Sequence, residues 1–225
     1  MRFLTDFADQ AVILPLVLAV AIALAVQGWR RGAIVWLGVV GVTFGTLLAL
    51  KLVFVACWPF FGPMDIRSPS GHVAAATVVA GGLAALLTRT RAMILPAAAI
   101  AAAVIGFSRL VLGMHSLPEV VLGAAVGLAG AATLLRLAGH PPALRTTPLV
   151  TVIVLVAVLF HGMHLPAEAA IRHTAFRAAR FLSVCQPEPG QVEHLRAEHW
   201  SRSPESGTHA GANLPDKQRA GALSG

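Results

Sequence analysis

The stretch Ser68-Pro69-Ser70-Gly71-His72, set between two long apolar runs, reads as the start of a helix. Ser68 suits the N-cap, and Pro69 suits the first helical position because its missing N–H would have no partner there. Gly71 has no Cβ and lets a ligand approach the backbone closely. First-turn amides favour an anion such as phosphate, and His72 would stand beside it with a proton to give. The stretch alone also fits a capped helix with an incidental histidine.

The composition indicates a membrane protein. Of the 225 residues, 56% are hydrophobic and only 12% are charged, whereas a soluble domain carries roughly 25% charged residues. The mean hydropathy is +0.75. Several apolar runs approach the roughly 20 residues that a helix needs to span a bilayer. The sequence therefore predicts an all-α polytopic transmembrane bundle of about six spans, near Ala11–Gln27, Ala33–Phe54, His72–Leu87, Ala92–Phe107, Leu117–Leu135 and Leu149–Phe160.

The net charge of +7 could indicate a nucleic-acid partner, but its distribution argues against one. Arginines cluster in alternate gaps between the predicted spans, which is the positive-inside pattern of membrane proteins. We expect these gaps to face the cytoplasm, the gaps at residues 55–71 and 108–116 to face outward, and no nucleic acid to bind. The arginines of the three basic gaps are Arg30, Arg31, Arg89, Arg91, Arg136 and Arg145.

The chain divides into three predicted segments. Residues 1–165 would form the transmembrane domain, residues 166–185 an amphipathic helix on the membrane surface, and residues 186–225 a disordered tail. Six spans place both ends of the chain outside, whereas a re-entrant sixth run would start the tail from the cytoplasm; the sequence leaves this open. A bridge between Cys57 and Cys185 is not expected, because the tail would have to fold back on the outer face.

A second outward stretch supplies the other half of a candidate site. Residues 108–119 read SRLVLGMHSLPE, and the topology puts them on the same membrane face as residues 68–72. Two imidazoles with an anion cradle suit phosphoryl transfer, in which one histidine attacks phosphorus and the other protonates the departing oxygen. Glu119 follows His115 by about one helical turn and could hold the imidazole's other N–H. It also fits a capping box opened by Ser116.

These motifs resemble the type 2 phosphatidic acid phosphatase superfamily. Its signature has three parts: K-x6-R-P, then P-S-G-H, then S-R-x5-H-x3-D. Residues 69–72 match the second part in full. The third part is matched except that Glu119 stands where Asp is usual. For the first part, Lys51 has the required spacing to the Trp58-Pro59 pair, but Trp58 replaces the arginine.

The resemblance implies a role for each matched residue. His115 would be the nucleophile that forms a phosphohistidine, His72 the general acid and later the base, and Glu119 the residue that orients His115. No metal or other cofactor would be needed. Arg67, next to the turn, could restore the charge lost at Trp58. The phosphate oxygens would be bound by Lys51, Ser70, Gly71, Ser108 and Arg109, although Lys51 and Arg109 could instead snorkel to the headgroups.

The sequence thus predicts an integral membrane lipid phosphatase that hydrolyses a phosphomonoester or diphosphate. Its site would face the periplasm or the cell exterior from the inner (plasma) membrane. Its partners would be a lipid phosphate substrate and membrane lipids; candidates are a polyprenyl diphosphate, phosphatidic acid, phosphatidylglycerophosphate and a lipid A phosphate. A lipid phosphotransferase would use the same residues. A catalytically weakened lipid-binding or transport relative is the third possibility, favoured by Trp58 and Glu119.

Overall fold

The computed structural model describes residues 8–57, 66, 68–139, 142 and 144–163. These residues form six α-helices and no strand, which confirms the predicted all-α class. A 3₁₀ turn, Arg91–Met93, precedes the fourth helix. The helices are α1 (Gln10–Val26), α2 (Arg30–Ala56), α3 (Gly71–Thr88), α4 (Ile94–Val111), α5 (Leu117–Leu137) and α6 (Thr146–Phe160).

The helices have the length and surface of membrane spans. Four of those described are long and apolar enough to cross a bilayer: α2, α3, α4 with its preceding turn, and α5. The apolar helices α1 and α6 are shorter, with 17 and 15 residues. Large apolar side chains such as Leu18, Val42 and Ile100 are exposed, as expected where lipid is the solvent. The chain is therefore a membrane-inserted bundle of about six spans.

Glycines on α5 allow the helices around the candidate site to pack closely. Helix α3 packs against both α4 and α5, which also contact each other. A Cβ on Gly127 would lie 2.6 Å from Thr77 Cβ and 2.8 Å from the Ala74 carbonyl oxygen. A Cβ on Gly123 would overlap the carbonyl oxygen of Ser70. Small residues thus seat α5 directly against the start of α3.

The three basic gaps lie together at one end of the bundle, which we call the basic end. There an Arg89 Nη2–H donates to the Leu144 carbonyl at 2.8 Å, and the Arg145 amide donates to Gln27 Oε1 at 2.7 Å. These bonds join gaps that are distant in sequence. The helices alternate in direction, so the α2–α3 and α4–α5 connections lie at the opposite end. Most arginines of the basic end are exposed: Arg30, Arg31, Arg89, Arg136 and Arg145.

The start of α3 differs from the prediction. Ser70, not Ser68, is the N-cap, and its backbone is extended (φ −70°, ψ 110°). The amides of Ser68 and Ser70 both donate to Glu119, at 2.7 Å to Oε1 and 3.0 Å to the carbonyl oxygen. These long-range bonds hold the chain extended through Ser70. Pro69 therefore precedes the helix instead of opening it.

The end of α4 also differs from the prediction. The sequence predicts that the fourth span ends near Phe107 and that an outward gap follows at residues 108–116, but the helix continues to Val111. Ser108 and Arg109 are both buried on its last turns. The end of the apolar run did not mark the end of the helix, because these two polar residues face the interior of the bundle.

Cys57, directly after α2, is disulfide-bonded, and the described part of the chain has no free cysteine. A disulfide at Cys57 contradicts the expectation that no bridge forms; Cys185, the other cysteine of the sequence, lies outside the described residues. The segments 166–185 and 186–225 lie outside the described residues. The surface helix and the disordered tail expected there stay predictions.

Candidate active site

Glu119, on the first turn of α5, joins the two motif stretches. Its Oε2 accepts from His115 Nδ1 at 2.8 Å and from the Ser116 amide at 3.1 Å. Its Oε1 accepts from the Ser68 amide at 2.7 Å, and its carbonyl oxygen accepts from the Ser70 amide at 3.0 Å. The residue completes the capping box of α5 and contacts His115 at the same time. The two interpretations of Glu119 that the sequence allowed are therefore compatible.

His115 lies in the loop between α4 and α5, with a side chain 10% exposed. An ionised carboxylate can only accept, so Nδ1 carries the hydrogen and Nε2 holds a lone pair. Burial lowers the pKa of His115 below its ordinary 6.5. The hydrogen bond and charge of Glu119 oppose this, and the positive charges of Arg109 and Lys51 add to it. At pH 7 the imidazole is therefore neutral, the form that acts as a nucleophile.

Lys51 lies near the end of α2 and is 1% exposed. A Cβ on Gly71 would be 3.5 Å from Lys51 Cε and 3.8 Å from its Nζ. The ammonium group is thus directly beside the first turn of α3 and does not extend to the headgroups. Its position favours an anionic ligand at this helix N-terminus.

Two further candidate ligands are buried at the same end. Arg109, on the last turn of α4, is 7% exposed, and its charge acts on His115. The Ser70 hydroxyl is fully buried at the N-cap of α3, and its Oγ has no hydrogen-bond partner among the described residues. A buried hydroxyl without a partner costs about 1–3 kcal/mol. A bound phosphate oxygen would remove that cost.

His72 lies on the first turn of α3, and its side chain is 18% exposed. Its Nε2 is 3.7 Å from Oδ2 of Asp9, the N-cap residue of α1. This distance is too long for a hydrogen bond and short enough for an ion pair. Sequence reasoning did not find Asp9 as a site residue. The only local signal is an acidic residue directly before an apolar run, which is typical of an ordinary helix cap.

The predicted site residues within the described chain lie at one end of the bundle, which we call the site end. Arg67 and Trp58 lie outside the described residues, so the suggestion that Arg67 restores the missing charge stays a prediction. Within the described ranges, no group of three or more His, Cys, Asp or Glu residues is arranged to hold a metal ion. The residues at the site end are Lys51, Ser70, Gly71, His72, Ser108, Arg109, His115 and Glu119.

Two histidines and two buried cations lie at one end of this integral membrane bundle, an arrangement that suits phosphoryl transfer. A family model described as the PAP2 superfamily matches residues 53–140, and the chain belongs to this superfamily. The matched range contains both histidines and Glu119, while Lys51 lies two residues before it. Membership supports a phosphatase-type function.

A curated relative adds sequence similarity without adding a function. The chain is 32% identical over 147 residues to an uncharacterised 22.5 kDa protein in the cps region of Klebsiella pneumoniae. The alignment covers 63% of this chain and 70% of that protein. No solved structure matches the chain at a significant level.

Proposed function

We propose that this protein is a lipid phosphatase that hydrolyses a lipid phosphomonoester or diphosphate through a phosphohistidine on His115. The observation that carries the proposal is the double contact of Glu119. Its carboxylate holds His115, and its backbone and carboxylate fix the turn that leads to His72. One residue therefore couples the positions of both imidazoles, as a reaction at a single phosphorus atom requires.

In the first step, the lone pair of His115 Nε2 attacks phosphorus, and the bond from phosphorus to the lipid oxygen breaks. His72 gives its proton to the departing oxygen, so the lipid leaves as an alcohol or as the lower phosphate. Lys51, Arg109 and the first-turn amides of α3 would stabilise the charge on the remaining phosphate oxygens. Glu119 stabilises the positive charge that develops on the attacking imidazole.

In the second step, His72 is neutral and accepts a proton from water. The resulting hydroxide attacks phosphorus, the P–N bond to His115 breaks, and inorganic phosphate leaves. His115 is neutral again with Nδ1–H towards Glu119, and His72 has recovered its proton. The cycle therefore closes with one water consumed and no net change in the protein.

An apolar groove between α2 and α5 supports a lipid substrate. It has a volume of about 600 Å³ and is lined by small and apolar residues of both helices, among them Thr46 and Ala125. Thr46 precedes Lys51 by five residues, about 7.5 Å along the helix. An acyl or prenyl chain in the groove would place its phosphate near the site end. Ala125→Trp should slow hydrolysis of long-chain lipid phosphates and spare a short-chain analogue, whereas Val121→Trp, on the same helix outside the groove, should not discriminate.

The charge distribution supports a site that faces the periplasm or the cell exterior from the inner (plasma) membrane. The exposed arginines of the basic end favour the cytoplasmic side. The disulfide at Cys57, next to the site end, favours an oxidising compartment. A reporter that is active only outside the cytoplasm should be silent when fused after Gly139 and active after Met163. The reverse pattern would overturn this orientation.

A phosphate-release screen tests the proposal directly. Purified wild-type protein, His72→Ala and His115→Ala would be assayed on phosphatidic acid, phosphatidylglycerophosphate, a polyprenyl diphosphate and a lipid A phosphate. We expect release from at least one lipid by the wild type and none above background by His115→Ala. Equal turnover by wild type and His115→Ala would remove the enzyme proposal. Phosphate that appears on an added alcohol instead of in solution would identify a phosphotransferase.

A further inference from the structure

One carboxylate at the site end has no place in the mechanism above. Asp9 is the N-cap of α1 and is 7% exposed. Its Oδ1 accepts from the Ala11 amide at 2.8 Å, which is the ordinary capping bond. Its Oδ2 lies 3.7 Å from His72 Nε2. One carboxylate oxygen of Asp9 thus caps α1, and the other faces the imidazole of His72.

Packing fixes Asp9 at this position. Ala8, the preceding residue, is 1% exposed and belongs to a cluster that includes Val73 of α3, Ile105 of α4 and Val120 of α5. These helices carry His72, Arg109 and Glu119. The Asp9 carbonyl oxygen accepts from the Val12 and Ile13 amides at 3.1 and 2.9 Å, which closes the first turn of α1. The start of α1 is therefore anchored on both sides of the carboxylate.

A helix cap does not need to be buried or to face a histidine. Capping side chains usually reach solvent, and a buried carboxylate is costly unless a positive charge accompanies it. Imidazolium on His72 would supply that charge. The Asp9–His72 pair resembles the Glu119–His115 pair, because each places a carboxylate beside an imidazole. Asp9 and His72 are at ion-pair distance, whereas Glu119 and His115 are at hydrogen-bond distance.

We propose that Asp9 is a positioning residue for His72, which keeps its imidazole protonated for the step in which the lipid oxygen leaves. This inference rests on the proposed function. The negative charge of Asp9 Oδ2, 3.7 Å from Nε2, stabilises the protonated imidazole. In the step itself His72 gives one proton to the departing oxygen and is left neutral. Asp9 acts through charge and touches neither phosphorus nor substrate.

The test separates the helix-capping role of Asp9 from the effect of its negative charge on His72. Asn is as good an N-cap as Asp, so Asp9→Asn keeps the bond to Ala11 and loses the charge. Asp9→Ser does the same with a different cap, and Asp9→Ala loses both. Loss of a neighbouring carboxylate should make His72 lose its proton at lower pH. The other charged and titratable groups of the site end stay unchanged in all three variants: Lys51, Arg109, His115 and Glu119.

The first readout is the pH profile of kcat/KM, which reports the free enzyme. For Asp9→Asn and Asp9→Ser, we expect the alkaline limb to move down by about one pH unit, a loss of about tenfold on that limb, with the wild-type melting temperature kept. Asp9→Ala should show the same shift and melt lower. Wild-type profiles for Asp9→Asn and Asp9→Ser would overturn the proposal and leave Asp9 as a helix cap.

The second readout does not depend on turnover. Diethyl pyrocarbonate modifies neutral imidazole, so the fraction of modified His72 peptide can be followed by mass spectrometry against pH. Modification should begin at lower pH in Asp9→Asn than in the wild type. Identical curves would contradict the role of Asp9 even in an active enzyme. A shifted curve in a protein that releases no phosphate from any lipid would instead disprove the proposed function and keep the Asp9–His72 pair.

Discussion

The two ends of the bundle both carry charge, but they hold it in opposite ways. At the basic end the arginines are mostly exposed, and Arg89 reaches a backbone carbonyl in a neighbouring gap. At the site end Lys51, Arg109 and Glu119 are each less than 8% exposed. Exposed charge at a membrane surface costs little and sets the orientation of the chain. Buried charge is costly, and its concentration at one end fits the phosphate site that we propose there.

Replacement of His115 at the site end should reduce activity far more than replacement of an arginine at the basic end. His115→Ala removes the nucleophile, and we expect phosphate release to fall by about 10³-fold or more. Arg136→Ala, at the exposed basic end, should stay within about twofold of wild type. Initial rates of purified protein in detergent, normalised to folded protein, measure both. Comparable losses in the two variants would remove the functional distinction between the ends.

Glu119→Gln should give the next largest effect. The amide can no longer hold both Nδ1–H of His115 and the two amides of Ser116 and Ser68, so the imidazole loses its fixed tautomer. We expect a loss of about 10²-fold. Glu119→Asp keeps the charge with a shorter reach and should retain more activity than Glu119→Gln. Full activity in Glu119→Gln would mean that the residue serves only as the cap of α5.

Loss of one phosphate ligand should reduce activity less than loss of the nucleophile. Arg109→Ala should lower kcat/KM by about 10- to 100-fold, the value of one charged contact. Arg30→Ala, an exposed arginine of the basic end, is the matched control and should have wild-type kinetics. If Arg67 replaces the arginine lost at Trp58, Arg67→Ala should lose activity comparably to Arg109→Ala. An Arg67→Ala variant with full activity beside an inactive Arg109→Ala would reject that replacement.

Much of this contrast was predictable from the sequence. The alternation of basic gaps identified the two ends, and the four-residue spacing of His115 and Glu119 predicted their contact. His115 lies in the loop before α5, so the contact crosses the N-terminus of that helix and does not run along a helix face. The alternation of apolar runs also predicted each helix to within a few residues. These features are local in the chain or repeat along it, so a single sequence carries them.

The features that the sequence did not predict depend on contacts between segments that are distant in the chain. Ser68 fits the N-cap of α3 by sequence, but the amides of Ser68 and Ser70 donate to Glu119, about fifty residues away, and the N-cap is therefore Ser70. Arg109 looked like a loop residue because its side chain is polar, yet neighbouring helices bury it. Asp9 carries no motif, and packing of Ala8 against α3, α4 and α5 brings it to His72. No periodicity or spacing in the sequence reports such contacts.

The pH dependence should reflect the burial of His115. His115 attacks only when neutral, and burial lowers its pKa below 6.5, so the acid limb of kcat/KM should be centred below pH 6.5. The unfolded chain takes up the proton more readily, so the histidine's contribution to stability should also be lost as pH falls below about 6.5. An acid limb centred above pH 6.5 would contradict this assignment. His115→Ala should lack that part of the pH dependence in thermal unfolding.

The smallest expected effect concerns packing next to the site. Gly123→Ala would force α5 away from the Ser70 carbonyl, and we expect a destabilisation of about 1–3 kcal/mol with reduced activity. Gly41→Ala, on α2 where a Cβ meets no atom within 4 Å, should be neutral or slightly stabilising. Thermal unfolding in detergent measures both. Equal melting temperatures would show that the contact between α5 and the start of α3 tolerates an added methyl group.

A rapid-quench experiment tests the central claim most directly. The purified enzyme would be mixed with its lipid phosphate and quenched within milliseconds into alkali, where a phosphoramidate survives, and the peptides would be analysed by mass spectrometry. We predict a phosphate on His115 that disappears as turnover ends and that is absent from every residue of His115→Ala. Phosphate on another residue, or none on His115 during demonstrable turnover, would contradict the mechanism.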